Sequence, residues 1–569
     1  MIPTQFNLAD IFECVADELP GREALSCGGL RCTFAELEGR ANRLAHGLQR
    51  QGVGRDDHVG LFTHNCVEFV EATLACYKVR AVPCNINYRY VGDELSYLLD
   101  NGDITTLVFH RALAPQVRSL PARPRKLRSL IVVDDGTDGD TAGLGSVPYE
   151  SVVDAGAPQR DFEDRSADDH YILYTGGTTG LPRGVVWRHE DIFFATLGGG
   201  NPGGPPVSSP EEIRRTVHTN RAQRVTPFLP PDHPGPDLFV TMALGPLVHA
   251  SGQWAVLGSL VAGGRAVLYP RRTMDMALVL DLIERERVTM LTLVGDTSGR
   301  PLLEALRRDG GTHDTSSLLL LGSGGSILSG EVKDELLALL PSVLAISEAV
   351  GSSEAPVQAT AIGQRRPMPS PSLRFAPKRG ATTVVDDQLR PVAAGSGTVG
   401  RLATSGRVPI GYYNDPVKTA ETFVEFDGRR WSLPGDMATV EEDGTIRLLG
   451  RGSLCINTGG EKVYPEEVEA VLKSHPLVTD AVVVGRPSAR FGREVAAVVQ
   501  PAEQGDPPTL EDLARHCRPH LAGYKVPRHL VVVAEVRRSA AGKADYGWAT
   551  GLVAGDPPPR RPVSERAGD

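Results

Sequence analysis

The sequence predicts a large N-terminal α/β domain followed by a small α+β C-terminal domain. Short, continuous apolar runs alternate with helical patterns through most of the chain, as expected of a parallel sheet that is covered on both faces. The pattern changes after Arg451, where the helices and short strands of a compact unit begin. The length of 569 residues also exceeds one ordinary domain. We therefore predict an N-terminal domain over residues 1–452, a C-terminal domain over 453–551 and a disordered tail over 552–569.

The first element with a clear boundary is a helix that begins after Thr33. Thr33 and Glu36 have the spacing of a capping box, and the apolar residues that follow repeat at helical intervals. Later in the domain, short apolar runs predict strands over 265–270, 288–295 and 318–321.

A helix capped by Thr273 is expected to run to about Arg285. Glycines follow the last of these strands at 322–325, and ligands of parallel sheets bind in such loops after the strand carboxyl ends. Residues 198–237 interrupt the pattern with Gly, Pro and polar residues, and they form either a lid over a substrate or an insertion.

The C-terminal unit shows its own pattern. Helices are predicted over 465–475 and 510–521, and short strands over 481–485 and 495–500. These four elements are enough for a separate α+β domain.

The composition excludes some classes of function. The formal net charge of -10 and the pI near 5.8 argue against a general nucleic-acid or anionic-membrane binder, because such proteins need a positive field. The N-terminus has no cationic leader before an apolar core, and no apolar run is long enough to cross a bilayer. We therefore expect a cytoplasmic protein. The eight cysteines show no close CxxC pair and are interpreted as reduced thiols.

The strongest chemical signal is the loop that follows an apolar strand at 171–174. Glycines let successive backbone N–H groups face an anion, and hydroxyls and a guanidinium add further donors. The spacing does not fit a Walker loop. The segment is therefore interpreted as a cradle for a polyphosphate, formed by Thr175, Gly176, Gly177, Thr178, Thr179, Gly180 and Arg183.

This loop resembles the phosphate loop of the adenylate-forming superfamily, which includes acyl-CoA synthetases, carrier-protein adenylation domains and luciferases. The resemblance covers nearly the whole chain and implies that a carboxylic acid is activated with ATP as an acyl-AMP and then transferred to CoA. It also implies an adenylate-forming enzyme fold, in which the small C-terminal domain is mobile. The other segments that resemble superfamily motifs, in the superfamily's order, are 85–91, 246–249, 322–327, 348–354, 411–416, 435–436, 450–451, 457–469 and 539–546.

The resemblance implies roles for single residues at the nucleotide. Glu354 would help to hold Mg²⁺ on the ATP phosphates. Asp436 and Arg451 would bind the ribose, and Lys543 would reach the α-phosphate. The candidate catalytic residues are Lys543, Glu354, Arg183 and Thr178. The remaining candidates for ATP binding are Gly325, Ser326, Ile327, Glu348 and Ser353.

The resemblance also implies how CoA is used. The small domain would rotate about a hinge at Ser453 and present a loop with Gly459, Gly460 and Lys462 to the pantetheine tunnel. The expected cofactors are thus ATP, Mg²⁺ and CoA.

Four positions depart from the usual residues of the superfamily. Arg183 stands where lysine is commoner, and Gly176 replaces a serine. Val350 occupies the place of an aromatic residue beside adenine, and Ser453 replaces an Asp or Lys at the hinge.

The acid is expected to be bulky. Gly351 occupies a position that a large side chain blocks in superfamily members specific for acetate. His249 stands at the position of a gate beside the carboxylate, and the other candidate residues of the acyl pocket are Gly252, Trp254, Gly324 and Val350. The amino-acid sequences of two motifs, 174–194 and 457–469, resemble those of actinobacterial synthetases for steroid side chains and for bulky terpenoid acids. The latter include synthetases of diterpenoid antibiotic pathways such as that of platensimycin. A medium-chain fatty acid is the main alternative.

Two further motifs are rejected as functional sites. Residues 395–400 match GxGxxG but open onto a strand-like run, so a dinucleotide site is not predicted. His516, Cys517 and His520 lie close in sequence, but no second ligand cluster completes a zinc site.

Two other functions stay open at this point. The chain is either a full synthetase or an adenylating ligase that hands its acyl group to a carrier protein or a separate partner. A non-catalytic protein that binds an acyl group or a nucleotide is the second alternative. A homodimer and an acyl-accepting partner protein are also left open.

Overall fold

The computed structural model describes residues 5–176, 181–201, 204–219, 238–325, 328, 330–364, 374–451, 456–463, 465–502, 507–537 and 546–555. Of the candidate site residues in these ranges, Arg451 and Lys462 are described by their backbone alone.

The helices are mostly short and lie between strands. Their bounds are α1 Leu8–Glu18, α2 Phe34–Arg50, α3 Val67–Lys78, α4 Gly92–Asn101, α5 Ala114–Arg118, α6 Tyr149–Asp154, α7 His189–Ala195, α8 Glu212–Thr219, α9 Ala250–Val261, α10 Met276–Glu286, α11 Gly295–Asp309, α12 Gly330–Leu339, α13 Pro416–Thr422, α14 Pro465–Lys473, α15 Leu510–Cys517 and α16 Tyr546–Ala554, with one 3₁₀ turn at Arg111–Leu113.

The strands alternate with these helices in the first half of the chain. Their bounds are β1 Glu23–Cys27, β2 Leu30–Thr33, β3 His58–Phe62, β4 Val82–Asn85, β5 Ile104–His110, β6 Ser129–Val133, β7 Val147–Pro148, β8 His170–Gly176, β9 Pro182–Arg188, β10 Val240–Ala243, β11 Arg265–Leu268, β12 Met290–Leu293, β13 Leu320–Gly324, β14 Ala345–Ser352, β15 Ala355–Gln364, β16 Arg374–Pro377, β17 Thr382–Val385, β18 Gly400–Ser405, β19 Gly411–Tyr412, β20 Phe423–Phe426, β21 Arg429–Ser432, β22 Asp436–Val440, β23 Ile446–Arg451, β24 Ile456–Thr458, β25 Glu461–Val463, β26 Val478–Ser488, β27 Gly492–Pro501 and β28 His529–Val532.

Within the described ranges, these strands form sheets of fifteen, eight and five strands. The fifteen-stranded sheet is parallel from β1 through β11, β10, β12 and β13 to β14. It continues in antiparallel pairs from β15 onward. In the eight-stranded sheet, β8, β4, β3, β5, β6 and β7 run parallel. The predicted parallel α/β architecture is confirmed.

The chain divides into two compact units. The first comprises Met1–Tyr90, Leu95–Thr175 and Pro182–Gly452, and it contains most of the two large sheets. The second comprises Ser453–Asp569 with two short segments, Val91–Glu94 and Gly176–Leu181. The five-stranded sheet lies in the second unit and has an apolar cluster on each of its two faces.

A buried ion cluster ties the first three helices of the large unit together. The ammonium of Lys78, which is 1% exposed, lies 2.7 Å from Glu13 and 2.8 Å from Glu38. Arg165 donates from both terminal nitrogens to the Glu13 carboxylate, at 2.8 Å each. These opposite charges satisfy one another where water is excluded.

Several predicted boundaries hold because local chemistry determines them. The Thr33 hydroxyl accepts from the backbone of Glu36, whose carboxylate accepts from the backbone of Thr33, and this completes the capping box of α2. The strands expected near 265–270, 288–295 and 318–321 correspond to β11, β12 and β13.

Other boundaries were wrong. Asp275, not Thr273, caps α10, since its side chain accepts from the backbone of Ala277. Helix α15 ends at Cys517, close to Pro519, which cannot continue a helix because it lacks an N–H. The predicted disordered tail begins too early, because α16 runs to Ala554 and its Val553 is buried.

Part of the predicted tail, residues 556–569, lies outside the described residues. So does much of the segment 198–237, although α8 lies within it and buries Ile213 and Val217. None of the described helices is long and apolar enough to cross a membrane.

Candidate active site

The proposed phosphate loop follows a buried strand, as the sequence predicts. Strand β8 buries Tyr171 through Tyr174 and carries Thr175 and Gly176 at its carboxyl end. The next described residues lead into β9, which brings Arg183 back beside the same sheet. The loop therefore begins at the edge of the sheet where ligands of parallel sheets usually bind.

Arg183 is held by two side chains of the segment 411–415. Its Nε donates to Asp415 Oδ2 at 3.0 Å, and its guanidinium carbon lies 5.8 Å from the centroid of the Tyr412 ring. The Arg183 side chain is 11% exposed. An arginine is thus compatible with this position because a carboxylate and an aromatic face are available to orient its planar group.

Glu354 is a buried carboxylate with a defined donor. It is 7% exposed, and the Tyr412 hydroxyl donates to its Oε1 at 2.7 Å. Burial raises the pKa of Tyr412, and the neighbouring Glu354 raises it further, so the phenol stays protonated and remains a donor. The arrangement orients one carboxylate oxygen by a hydrogen bond from a fixed hydroxyl.

Ser353 is buried next to Glu354, and its backbone carbonyl group connects this turn to β9. The indole Nε1 of Trp187 donates to the carbonyl oxygen of Ser353 at 3.1 Å. Trp187 lies on β9 and is fully buried. The strand that carries Arg183 is thereby tied to the turn that carries Glu354.

Two further candidates for ATP binding lie on or next to neighbouring strands, Gly325 directly after β13 and Glu348 within β14. These strands are parallel neighbours, with Gly324 opposite Ala349. Gly325 follows β13 with a φ of +78°, a conformation that glycine adopts at little cost. Glu348 is engaged by Lys333, whose Nζ lies 2.7 Å from its Oε2.

The candidate ribose residues are brought together by two antiparallel strands. Asp436 begins β22 directly opposite Arg451 at the end of β23. Asp436 is 8% exposed, and Gly435 precedes it with a φ of +99°. The two residues thus face each other across neighbouring strands, as the expected joint role requires.

The candidate gate His249 stands at the N-cap of α9. Its backbone N–H donates to Pro246 at 2.9 Å. One turn later, the Trp254 indole donates to the Tyr171 hydroxyl at 3.0 Å, and that hydroxyl donates to Gln253. The start of α9 is thereby fixed to the strand that precedes the phosphate loop.

Gly351 and Gly252 are required by backbone packing, and the acyl-pocket roles expected for them stay predictions. A Cβ on Gly351 would lie 2.0 Å from the carbonyl oxygen of Pro356, at a bulge between β14 and β15. A Cβ on Gly252 would lie 2.3 Å from the carbonyl oxygen of Gly245. Neither missing side chain points into open space.

The surroundings of Val350 and Gly324, two other candidate residues of the acyl pocket, differ from those of Gly351 and Gly252. The half-buried Val350 packs against a small core cluster formed by Val384, Leu402, Ala438 and Ile446. A Cβ on Gly324 would make only an ordinary contact, 3.7 Å from Ala349.

In the second unit, Gly459 and Gly460 form the turn of the hairpin between β24 and β25. Their φ values are +59° and +83°, and Thr458 pairs with Glu461 across the turn. Two successive residues with positive φ are typical of a type I′ turn, which favours Gly-Gly. The Gly459 N–H donates to the carbonyl oxygen of Phe491 at 3.0 Å.

Several candidate residues lie outside the described residues, and their roles stay predictions: Gly177, Thr178, Thr179, Gly180, Ser326, Ile327, Ser453 and Lys543.

The segments of the two rejected motifs lie within the described residues. The GxGxxG match opens onto strand β18, as expected, where a dinucleotide fold needs a helix. His516 Nε2 lies 3.1 Å from the carbonyl oxygen of Val471 and 2.9 Å from the Ser474 hydroxyl. Over the described ranges, no group of three or more His, Cys, Asp or Glu side chains is arranged to hold a metal.

The contact between Tyr412 and Glu354 was not predicted from the sequence. Tyr412 belongs to a segment that was recognised only as a matching motif. The signal available in the sequence was that Tyr412 lies in this motif shortly before Asp415, a residue able to cap a helix.

Comparisons with known proteins cover nearly the full length. Residues 12–413 match the model of the AMP-binding enzyme family, and residues 467–543 match that of the AMP-binding enzyme C-terminal domain. The chain is 43% identical to a 3-oxocholest-4-en-26-oate--CoA ligase from Rhodococcus rhodochrous, over 97% of each chain. It is 45% identical to a medium/long-chain-fatty-acid--CoA/3-oxocholest-4-en-26-oate--CoA ligase from Mycobacterium tuberculosis, over 95% of each chain.

The fold is also that of a solved structure. The amide bond synthetase McbA from Marinactinospora thermotolerans superposes with a TM-score of 0.75 at 23% identity, over 95% of this chain and 99% of that one. With a family model that spans most of the chain and full-length relatives above 40% identity, this chain belongs to the AMP-binding enzyme family.

Proposed function

We propose that this chain is an AMP-forming acyl-CoA ligase that activates a bulky carboxylic acid of the steroid side-chain type. The observation that carries the proposal is the full-length similarity to two ligases whose names include 3-oxocholest-4-en-26-oate. The arrangement of Glu354, Tyr412 and Asp436 in the large unit supports it. ATP, CoA and the acid are the substrates.

In the first half-reaction, an oxygen of the acid forms a bond to the α-phosphorus of ATP. The bond from that phosphorus to pyrophosphate breaks, and acyl-AMP results. The carboxylate is ionised at neutral pH, so no general base is needed. Negative charge grows on the phosphate oxygens, and Lys543 is assigned to stabilise it more in the transition state than in the ground state.

The Glu354 site fits Mg²⁺. The carboxylate is a hard oxygen ligand, it is buried, and Tyr412 orients one of its oxygens. Mg²⁺ is commonly held by one or two carboxylates together with substrate phosphates, and when bound it neutralises phosphate charge. Asp436 is assigned to accept hydrogen bonds from the ribose hydroxyls, which fixes the nucleotide while the acid attacks.

In the second half-reaction, the CoA thiolate forms a bond to the acyl carbon, and the bond from that carbon to AMP breaks. The Gly459–Gly460 turn and Lys462 are assigned to the pantetheine path, and Ser453 to the hinge. The turn is well suited to close approach because it carries no side chains.

Medium- and long-chain fatty acids are the competing substrates, because the second relative carries them in its name. A rigid polycyclic acid and a flexible chain differ in shape, so direct competition between them would rank the two. A diterpenoid acid belongs on the same panel as a second rigid substrate.

Pyrophosphate release with steroid, diterpenoid, aromatic and fatty acids, with and without CoA, tests the proposal. We expect the highest specificity constant with the steroid acid and a thioester only in the presence of CoA. Acyl-AMP that accumulates without thioester would establish an adenylating ligase that needs a separate acceptor. No release with any acid would support the non-catalytic alternative.

Two variants connect the activity to the assigned residues. Glu354→Gln removes the charge that suits Mg²⁺ and is expected to raise the Mg²⁺ concentration for half-maximal rate about tenfold or more. Lys543→Ala is expected to lower the rate of acyl-AMP formation about a hundredfold or more, with little change in melting temperature. Unchanged activity of Lys543→Ala would remove its assigned role.

A further inference from the structure

Two asparagines follow neighbouring parallel strands of the eight-stranded sheet. Asn85 is the last residue of β4, and Asn65 lies in the loop after β3. The two strands are paired, with Leu61 opposite Asn85. Both carboxamides therefore lie at the carboxyl edge of this sheet, where the proposed phosphate loop also begins.

The Asn85 side chain joins strand β8 of the eight-stranded sheet to the loop that follows β10 of the fifteen-stranded sheet. It is 3% exposed, and its Nδ2 donates to the carbonyl oxygens of Tyr174 at 2.9 Å and of Val248 at 2.7 Å. Its Oδ1 accepts from the Tyr174 N–H at 2.7 Å. Both amide hydrogens are used, and the Tyr174 peptide groups are paired in both directions.

This contact extends a β ladder by means of a side chain. Strands β4 and β8 pair in parallel at Cys84 and Ile172, just before the two strands end. The Asn85 amide then binds Tyr174 as a backbone peptide would, and it satisfies an N–H and a carbonyl group that are buried. Strand β8 is thus held in place up to the residue before Thr175.

Asn65 binds Leu247, the residue before Val248 in the same loop. Its Oδ1 accepts from the N–H of Leu247 at 2.9 Å. Its Nδ2 lies 3.5 Å from the carbonyl oxygen of Tyr269, at the limit of a hydrogen bond. Leu247 and Val248 immediately precede His249, so two consecutive residues of this loop are bound through their backbone by side chains at the carboxyl edge of the eight-stranded sheet.

We infer that Asn65 and Asn85 are positioning residues, which set the His249 loop against the strand that delivers the phosphate loop. The inference rests on the proposed function, in which the acid carboxylate near His249 must meet the α-phosphate. Asn85 contacts both segments, and Asn65 binds the backbone of the loop at Leu247. Misplacement of reacting groups by about 1 Å costs roughly a hundredfold in rate.

Asn65 offers the cleaner test because it is only partly buried. Asn65→Ala removes the acceptor for Leu247, and Asn65→Asp keeps an oxygen in the same place. We expect Asn65→Ala to lower kcat for acid-dependent pyrophosphate release about ten- to a hundredfold. The KM for ATP should change less than about threefold. Asn65→Asp should restore most of the rate.

Asn42→Ala is the matched control for a purely structural loss. Asn42 is 2% exposed, and its Nδ2 donates to the carbonyl oxygen of Pro158 at 3.0 Å. It lies on α2, which contributes no candidate site residue. This variant should lose thermal stability without a selective fall in kcat.

A second readout does not depend on turnover. Hydrogen–deuterium exchange of peptides that span 244–254 should become faster in Asn65→Ala and in Asn85→Asp, and should stay unchanged in Asn42→Ala. If the wild type shows no acid-dependent turnover, the proposed function fails while this local effect can still be observed. Unchanged exchange in the two site variants would overturn the positioning role. So would a fall in kcat that Asn65→Asp fails to restore.

Discussion

The hydroxyl of Tyr412 donates a 2.7 Å hydrogen bond to the buried carboxylate of Glu354. The same ring lies 5.8 Å from the guanidinium carbon of Arg183, whose Nε is bound by Asp415. The candidate metal ligand and the cation after the phosphate loop are thus oriented by one short segment. Tyr412 therefore contributes to the geometry of both groups without needing to touch the substrate.

Tyr412→Phe should weaken Mg²⁺-dependent adenylation. The substitution keeps the ring beside Arg183 and removes the hydroxyl, which donates to Glu354 and is also hydrogen-bonded to Thr422. Loss of such a partner of a metal ligand typically costs about 10- to 100-fold in metal affinity or activity. The Mg²⁺ concentration for half-maximal pyrophosphate release should rise by at least about tenfold.

Tyr413→Phe provides a matched control for this variant. The Tyr413 hydroxyl also donates to a carboxylate, Asp103, at 2.9 Å. Both variants remove a phenol that is bound to an acid, at adjacent positions. Equal Mg²⁺ requirements in the two variants would contradict the role given to Tyr412.

Local features of the fold were predictable from the sequence, because neighbours in the chain determine them. The capping box at Thr33, the buried strand before Thr175 and the parallel order of strands all follow from local residue types and short periods. The cap of α10 was missed because Thr273 and Asp275 are both good capping residues. Sequence alone does not say which of the two the backbone uses.

The contacts of the candidate site were not predictable in the same way. Glu354 and Tyr412 are 58 residues apart, and no periodicity indicates that the turn between β14 and β15 approaches β19. The triple contact of Asn85 likewise depends on three separate segments. A glycine needed for an open pocket also looks the same in sequence as one needed for backbone packing, so the sequence did not predict the close backbone contact at Gly351.

Gly351→Ala should lower stability more than it changes substrate choice. Its Cβ would lie 2.0 Å from the carbonyl oxygen of Pro356, and a backbone atom cannot move aside as a flexible side chain can. Overpacking of this kind costs about 1–3 kcal/mol or more. The urea midpoint of the variant should fall accordingly, and this fall can be followed by fluorescence.

Gly324→Ala is the comparison for that experiment. Its Cβ would meet only Ala349, at 3.7 Å, so stability should change by less than about 0.5 kcal/mol. If Gly351→Ala is as stable as Gly324→Ala and instead prefers shorter acids, the acyl-pocket explanation from the sequence would be supported and the packing explanation overturned.

Arg183→Lys should impair ATP use less than Arg183→Gln, because it keeps the charge but loses the planar group that packs on Tyr412. Lysine keeps the positive charge near the phosphate loop, and glutamine removes it. A charge-assisted hydrogen bond contributes about 1.5–3 kcal/mol, so the KM for ATP should rise about tenfold or more in Arg183→Gln. Steady-state kinetics with varied ATP at saturating acid measure this effect.

Asp415→Asn separates a phosphate role of Arg183 from a structural one. Asparagine is still able to cap α13, where the Asp415 side chain accepts from Lys418, but it lacks the charge that pairs with Arg183. We expect a KM for ATP close to that of the wild type. If Asp415→Asn and Arg183→Gln raise the KM equally, the ion pair itself, and not the charge of Arg183 alone, is what ATP binding requires.

The buried cluster around Glu13 should make the large unit sensitive to acid. Burial disfavours the charged carboxylate, but Lys78 and Arg165 outweigh this effect and lower the pKa of Glu13 from 4.5 to about 2. A lowered folded-state pKa contributes stability that is fully present above the unfolded value and is lost as the pH falls from about 4.5 towards 2. The urea midpoint should therefore decrease through this range.

Glu13→Gln should remove that dependence and lower stability at neutral pH. Glutamine keeps the shape of the side chain but leaves Lys78 and Arg165 with less opposing charge, which costs about 3 kcal/mol. Urea unfolding at pH 7, 5, 4 and 3 compares this variant with Glu163→Gln, in which an exposed glutamate is neutralised and little change is expected. Because the two variants have the same net charge, a steep acid dependence that persists in Glu13→Gln would assign the acid sensitivity to other carboxylates.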